Sequence, residues 1–317
     1  MTVLAGLLQA VLIVGMSPVL VGLMRQIRAR LEGRAGPGIS QPWRDLRKLL
    51  RKQPVTPRGT SEVFRAAPTV LVATTLVVAV VAPFITTTSA LDPVADLFAV
   101  VALLALGAVA VALAGIDTGT AFGGMGASRE MTILALVEPT LLVAIFALSV
   151  RVGSTNLSAI VTSTLQDPAR VVSPGSLLAA VALLVVVVAE AGRLPVDNPS
   201  THLELTMVHE AMVLEYAGPD LALIELGSAM RLSVYLGLLA NLFVPWGIAT
   251  EVGATGAGVL SLAVGVGAFL AKVALLGAAL AFAEVFLAKV RLFRVPELLA
   301  GSFLLALLAV TTSSFLT

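Results

Sequence analysis

Long apolar runs separated by short polar stretches dominate the pattern along the chain. Eight of them are long enough to cross a bilayer: residues 3–24, 67–89, 95–115, 130–150, 175–192, 222–248, 255–288 and 296–315. A membrane helix needs about 20 mostly apolar residues, whereas a membrane strand needs about 10 that alternate with polar ones. These runs do not alternate, so the pattern predicts an all-α polytopic membrane protein with about eight transmembrane helices. The seventh run is long enough to tilt or to extend beyond the hydrocarbon. No basic residue precedes the first run and Arg25 follows it, which predicts a retained membrane helix and not a cleaved leader. No tandem repeat or long polar domain interrupts the pattern, so residues 1–317 read as a single membrane domain.

Composition agrees. Of 317 residues 58% are hydrophobic and only 12% charged, and the mean hydropathy is +1.01, values that exclude both a soluble globule and a disordered chain. The absence of cysteine excludes disulfides, cysteine-ligated iron–sulfur clusters and thiol nucleophiles. Redox chemistry served by this chain therefore belongs to a partner, and no cofactor is expected on the chain itself.

The net charge of +1 hides a segregation. Residues 25–66 hold 11 of the 20 basic residues and three acids, a local balance of +8, which leaves −7 for the rest. If that loop is cytoplasmic, Arg129, Arg193, Lys289, Arg291 and Arg294 fall on the same side, and only Arg151 and Arg170 fall opposite. The bias predicts both termini outside. Trp246, near the outer end of the sixth run, suits an interfacial anchor.

Within the basic loop the Gly36-Pro37-Gly38 turn is followed by Ser40 and Pro42, a helix start. Trp43, Leu46, Leu49 and Leu50 then share one face while Arg44, Arg47, Lys48, Arg51 and Lys52 take the other. This predicts an amphipathic helix with its apolar side among lipid headgroups. Orientation alone accounts for many of these charges, yet 11 in 42 residues also form a docking platform for a soluble partner. Stacking aromatics are almost absent, so nucleic acid is not an expected partner.

Charges inside apolar runs are costly, by about 3 kcal/mol each at the bilayer centre. Glu130, Glu138, Glu190, Glu225, Arg231, Lys272 and Glu284 lie at such positions. Buried carboxylates can exchange protons near neutral pH, as a proton relay requires. The plain alternative is structural pairing, for instance Glu225 or Glu284 with Arg231 or Lys272. Between the fifth and sixth runs, residues 193–221 form an acidic cytoplasmic loop with Asp197, Glu204, Glu210, Glu215 and Asp220. As one helix over 201–216, Glu204 and Glu215 would share a face, as would His202 and His209. His209-Glu210 begins a metal motif that Val213 breaks, so no metal site is expected. The run Phe122-Gly123-Gly124-Met125-Gly126 fits neither phosphate fingerprint and reads as a turn between spans. No Ser-His-Asp arrangement is credible here, and no catalytic centre of the chain's own is expected.

Several stretches resemble a known family. Arg34-Ala35-Gly36-Pro37, then Gln41, Asp45, Lys48 and Ala67-Pro68, resembles the first cytoplasmic loop of the respiratory complex I membrane subunit that contacts the quinone-reducing module. The likeness recurs at Gly126-Ala127-Ser128-Arg129 through Glu138, at Ala189-Glu190-x-x-Arg193-x-Pro195-x-Asp197-x-Pro199, and at Glu215-Tyr216-x-Gly218. Glu138-Pro139, residues 214–219 and residues 291–297 are more similar to the membrane subunit of energy-converting group 4 NiFe hydrogenases, of the formate hydrogenlyase and hydrogenase-4 type. Gly192, His202, His209 and extra residues before Glu215 depart from the complex I pattern and favour the hydrogenase branch.

The resemblance implies a non-catalytic membrane anchor. A soluble arm carrying iron–sulfur clusters and a NiFe site would dock on it, and antiporter-like membrane subunits would move protons beside it. It implies docking through Arg30, Arg34, Gly36, Pro37, Arg44, Asp45, Arg47, Lys48, Arg129, Arg193 and Asp197. It implies a proton path along Glu138, Glu190, Glu204 and Glu215, to which burial adds Glu210, Glu225, Glu284, Arg231 and Lys272. The expected location is the bacterial cytoplasmic membrane. Two other readings stay open at this level: a quinone-site subunit of a complex I-type NADH dehydrogenase, and a stand-alone cation/proton transporter.

Overall fold

The structure, a computed structural model, describes residues 2–89, 91–193, 207–250, 256–287 and 294–315. Among these, eleven α-helices are found: α1 Thr2–Leu31, α2 Gln41–Leu49, α3 Glu62–Val81, α4 Leu97–Asp117, α5 Ala121–Val152, α6 Leu157–Gln166, α7 Pro174–Glu190, α8 His209–Val213, α9 Gly218–Phe243, α10 Gly256–Phe286 and α11 Val295–Phe315. Seven (α1, α3, α4, α5, α9, α10 and α11) are long and apolar enough to cross a membrane. The eighth expected span is α7, an apolar helix of 17 residues, which at 1.5 Å per residue measures about 25 Å.

Contacts at the two ends of the bundle give the direction of each helix. At one end the start of α3 meets the end of α4, where Asp117 accepts from Ser61 N. The ends of α1 and α10 meet there too through Arg28 and Glu284. At the other end Arg151, closing α5, donates to Ser173 before α7 and to Ser313 late in α11. The eight long helices therefore alternate in direction, with α7 running opposite to α5 and α9.

Five of the described helix starts are set by capping side chains that an apolar pattern does not register. Ser61, Asp96, Thr120, Asn156 and Ser173 each accept a hydrogen bond from a backbone N–H two or three residues on, satisfying donors that a first turn leaves open. The Thr120 cap starts α5 at Ala121, so the glycine-rich run is not a turn but the first helical turns. The reason is packing: a Cβ on Gly126 would lie 2.9 Å from both Ala211 Cβ and Val208 O, so the small residue seats α8 against α5.

The second expected span ends early. Pro83 supplies no donor to a continuing helix, and residues 82–87 run on as buried irregular chain. At membrane depth such backbone persists only when its polar groups are paired within the protein. Gln9 of α1 donates to Ala79 O and Ala82 O and accepts from Phe84 N and Ile85 N. Asn241 of α9 donates to Pro83 O and Phe84 O, and Ala249 N donates to Ile85 O.

The main core joins α1, α3, α4, α5, α7, α9, α10 and α11. A second cluster, around Phe64, Leu71, Met212 and Tyr216, fastens α8 to α3, α4, α5 and α9 at the end where α3 begins. The basic segment is shorter as a loop than its charge pattern indicated, since Arg25, Arg28 and Arg30 belong to α1 and Glu62 and Arg65 to α3.

Candidate functional site

The amphipathic helix forms over Gln41–Leu49, but its apolar side does not face headgroups alone. Leu46 is 6% exposed, because α2 lies against α1 and α9. Close approach is possible because α1 has glycine at position 22, where a Cβ would sit 1.9 Å from the Ile39 carbonyl oxygen. Gln26 fixes the preceding turn, donating to Ala35 O and accepting from Gly38 N.

Between α1, α2 and α9 this seating leaves a cavity of about 250 Å³. Its polar wall is Arg25, Asp45, Arg193, His209, Glu210, Glu225 and Ser228. The His209 ring nitrogen lies 3.4 Å from Ser228 Oγ. The acids come from three separate elements, so the cavity arises from tertiary packing and not from one carboxylate-bearing helix.

Arg193 connects the cavity to the interior. Its guanidinium and that of Arg28 both contact Glu284, each at 3.4 Å, and the Glu284 side chain is 2% exposed. Burial pulls the Arg193 pKa down from its ordinary value, and Glu284 opposes that shift. One carboxylate thus holds the ends of α1 and α10 and the chain leaving α7.

Three residues before Arg193, Glu190 makes an ion pair with Arg231 and accepts from Tyr235 Oη at 2.9 Å. Arg231 also donates to Tyr235 Oη at 3.2 Å. The second oxygen of Glu190 and one oxygen of Glu138 are buried without a hydrogen-bond partner among the described residues. Glu138 lies within electrostatic reach of Glu190 and Arg231. Pro139 beside it leaves the Ala135 carbonyl without its helical donor. Two carboxylates, each with an unbonded oxygen, therefore share a poorly solvated region below the cavity, an arrangement able to hold and pass a proton.

The expected proton-path residues divide accordingly. Glu138, Glu190 and Arg231 are brought together, and Glu210 and Glu225 line the cavity. Glu284 pairs with Arg28 and Arg193, not with Arg231 or Lys272. Lys272 does not line the cavity and donates to Asn241 Oδ1 at 3.2 Å. Glu215 is exposed and outside the cavity, because α8 is only His209–Val213 and not one helix through residue 216. Glu204, Asp197 and His202 lie outside the described residues.

The docking residues divide as well. Arg30, Arg34, Gly36, Pro37, Arg44, Arg47 and Lys48 are exposed. Arg129, Arg193 and Asp45 turn inward: Arg129 donates to Met207 O at 2.6 Å, Arg193 holds Glu284, and Asp45 lines the cavity and accepts from Gln41 at 2.8 Å. Apolar periodicity missed Tyr235, although it stands one helical turn from Arg231, and missed Arg25 and Arg28, which read as loop charges. Tyr216, marked only by the family resemblance, stacks on Phe64 with ring centroids 4.0 Å apart and donates to Phe64 O at 2.7 Å. Burial pushes its pKa up, so the hydroxyl stays a donor.

Comparison with known proteins places these residues in context. A family described as NADH dehydrogenase matches residues 3–314. The chain is 38% identical over 253 residues to hydrogenase-4 component C of Escherichia coli (strain K12), covering 78% of each chain. It is 36% identical over 247 residues to formate hydrogenlyase subunit 4 of the same organism, covering 78% of this chain and 79% of that one. NADH-quinone oxidoreductase subunit 8 of Rhodothermus marinus is 27% identical over 237 residues, 71% of this chain and 68% of that one. In fold, a chain of the membrane-bound sulfane sulfur reductase, an archaeal respiratory membrane complex, superposes with a TM-score of 0.79 over 98% of both chains at 22% identity.

Proposed function

The chain belongs to the NADH dehydrogenase family, and from that premise we propose that it is the membrane anchor and coupling subunit of a redox-driven ion-translocating complex of the hydrogenase-4 and formate hydrogenlyase kind. The observation that carries this reading is Glu190, bonded to Arg231 and Tyr235 beneath a polar cavity, with Glu138 within electrostatic reach and an unbonded oxygen on each carboxylate. Binding and electrostatics are the chain's part, since electron transfer resides in a soluble arm with iron–sulfur clusters and a NiFe centre. That arm docks on the exposed basic face of α2 and the turn at Arg34–Pro37. Protons enter the cavity, reach Glu190 past Arg193, and exchange with Glu138 toward antiporter-like membrane subunits. The chain is a multi-pass membrane protein, and the positive-inside rule puts its basic end in the bacterial cytoplasm and both termini outside.

Two measurements test the proposal. Purification in mild detergent is expected to bring down subunits containing iron–sulfur clusters and a NiFe centre, and their absence would remove the complex. Glu138→Gln is expected to lower the number of protons moved per electron while the complex still assembles. An unchanged ratio would make Glu138 structural.

A further inference from the structure

A second concavity lies on a different face of α1, about 120° round the helix from the ion-pair cavity. It is an open groove of about 680 Å³ whose lining includes Val19, Gln26, Arg30, Gly38, Ser40 and Trp43. Trp43 Nε1 donates to Gly15 O at 3.2 Å, and this bond holds the start of α2 beside a part of α1 well inside the apolar run. The Ser40 side chain makes no capping bond to α2, so its hydroxyl is not committed to that helix.

The groove continues a stripe along α1. Leu8, Val11, Gly15, Val19, Gln26 and Arg30 fall within about 100° of arc on an ideal helix. Leu8, Val11 and Val19 are 40%, 68% and 41% exposed. The stripe is thus apolar up to Val19 and polar from Gln26 to Arg30. Val19 and Arg30 are about 16 Å apart along the axis, more than the roughly 5–8 Å headgroup layer on one side of a bilayer. One groove therefore crosses from hydrocarbon to headgroups, with the Trp43 indole on its apolar side. Arg30 and Arg44 are exposed at this end, and Arg44 Nη2 lies 3.6 Å from a Cβ position on Gly38, so the mouth is positive, while Arg34 beside it is paired with Glu32.

We propose that this groove binds one anionic phospholipid: the phosphate at Arg30 and the Ser40 hydroxyl, the glycerol region against Trp43, and an acyl chain along Val19, Gly15 and Val11. A soluble partner cannot reach the lower half of the stripe, which lies in the spanning part of α1. A zwitterionic lipid would leave the positive mouth uncompensated. The inference does not depend on the proton path, because no residue of the groove belongs to it; Gly36 and Pro37, which also line the groove, belong to the proposed docking turn, so the lipid would sit beside the docked arm.

The test is native mass spectrometry of the intact complex after stepwise delipidation, with back-addition of phosphatidylglycerol, cardiolipin or phosphatidylcholine. One anionic phospholipid per copy of this chain is expected to survive delipidation and to rebind. Arg30→Gln is expected to weaken rebinding about tenfold, the size of one charge-assisted hydrogen bond. Arg58→Gln, an exposed charge outside the groove, is expected to leave rebinding unchanged, and Trp43→Leu to weaken it with every anionic lipid. Arg30 and Arg58 lie outside the α2 face and the Arg34–Pro37 turn on which the soluble arm is proposed to dock, so assembly is expected to persist and is read in the same spectra. Equal rebinding by Arg30→Gln, equal loss in Arg58→Gln, equal retention of phosphatidylcholine, or displacement of the lipid by inorganic phosphate would each overturn the proposal. So would cross-links from position 30 that reach only a polypeptide of the complex.

Discussion

The buried acid Glu190 is tolerable because Arg231 and Tyr235 both point at one of its oxygens. Removing one partner of a buried ion pair leaves the other charge uncompensated, which costs about 3–5 kcal/mol, whereas replacing both by apolar groups costs far less. Arg231→Met is therefore expected to lower the thermal stability of the isolated chain sharply, and Glu190→Gln combined with Arg231→Met to restore most of it. If the single and double variants unfold together, the pair is not what stabilises this region. Tyr216→Phe removes one hydrogen bond but keeps the stack on Phe64, and is expected to cost about 1 kcal/mol. Glu215 gives the contrast: exposed and outside the cavity, its conversion to Gln is expected to leave proton movement per electron unchanged, where Glu138→Gln lowers it.

Elements are positioned here by small residues and caps more than by hydrophobicity, which nearly every helix has in excess. The seat of α8 depends on Gly126, since a Cβ there meets Ala211 and Val208 O at 2.9 Å. Gly126→Val is expected to displace α8, destabilise by about 1–3 kcal/mol and open residues near Met207 to limited proteolysis. Unchanged proteolysis would show that α8 adjusts without strain. The same reasoning explains which elements were legible. All eight apolar runs contain a helix, because a helix satisfies its backbone within itself, while the irregular end of the second run needs Gln9 and Asn241 to do so. Their ends were not legible, because Thr120, Ser61 and Ser173 act through single hydrogen bonds that leave no periodic trace. The glycine-rich start of α5 read as a turn because its composition is that of a turn. Only contact with α8 and α4 reveals why a helix uses it.

For the whole molecule, charge segregation becomes a division of labour between two sides of α2. Its basic side chains are exposed while Leu46 lines the cavity, so one nine-residue helix bounds both the proposed docking face and the cavity. Replacing Arg44, Arg47 and Arg51 together with Ser is expected to release the soluble arm at moderate salt, because surface electrostatic attraction is screened within about 8–10 Å at such ionic strength. Retention of the arm, measured by sedimentation of the solubilised complex, would leave these charges a topological role only. The sequence by itself determined the membrane class, the eight apolar helices and the concentration of positive charge, since these follow from composition and from hydrophobic runs that no packing can reverse. Only the tertiary structure decided which charges meet. Glu190, Arg231 and Glu138 lie on three helices far apart in the chain, and Arg28, Arg193 and Glu284 on three more segments. An isolated charge in an apolar run shows that a partner is required, but which partner it finds depends on helix rotation and close approach, and these are set by contacts such as Gly22 on Ile39 that one-dimensional periodicity does not contain.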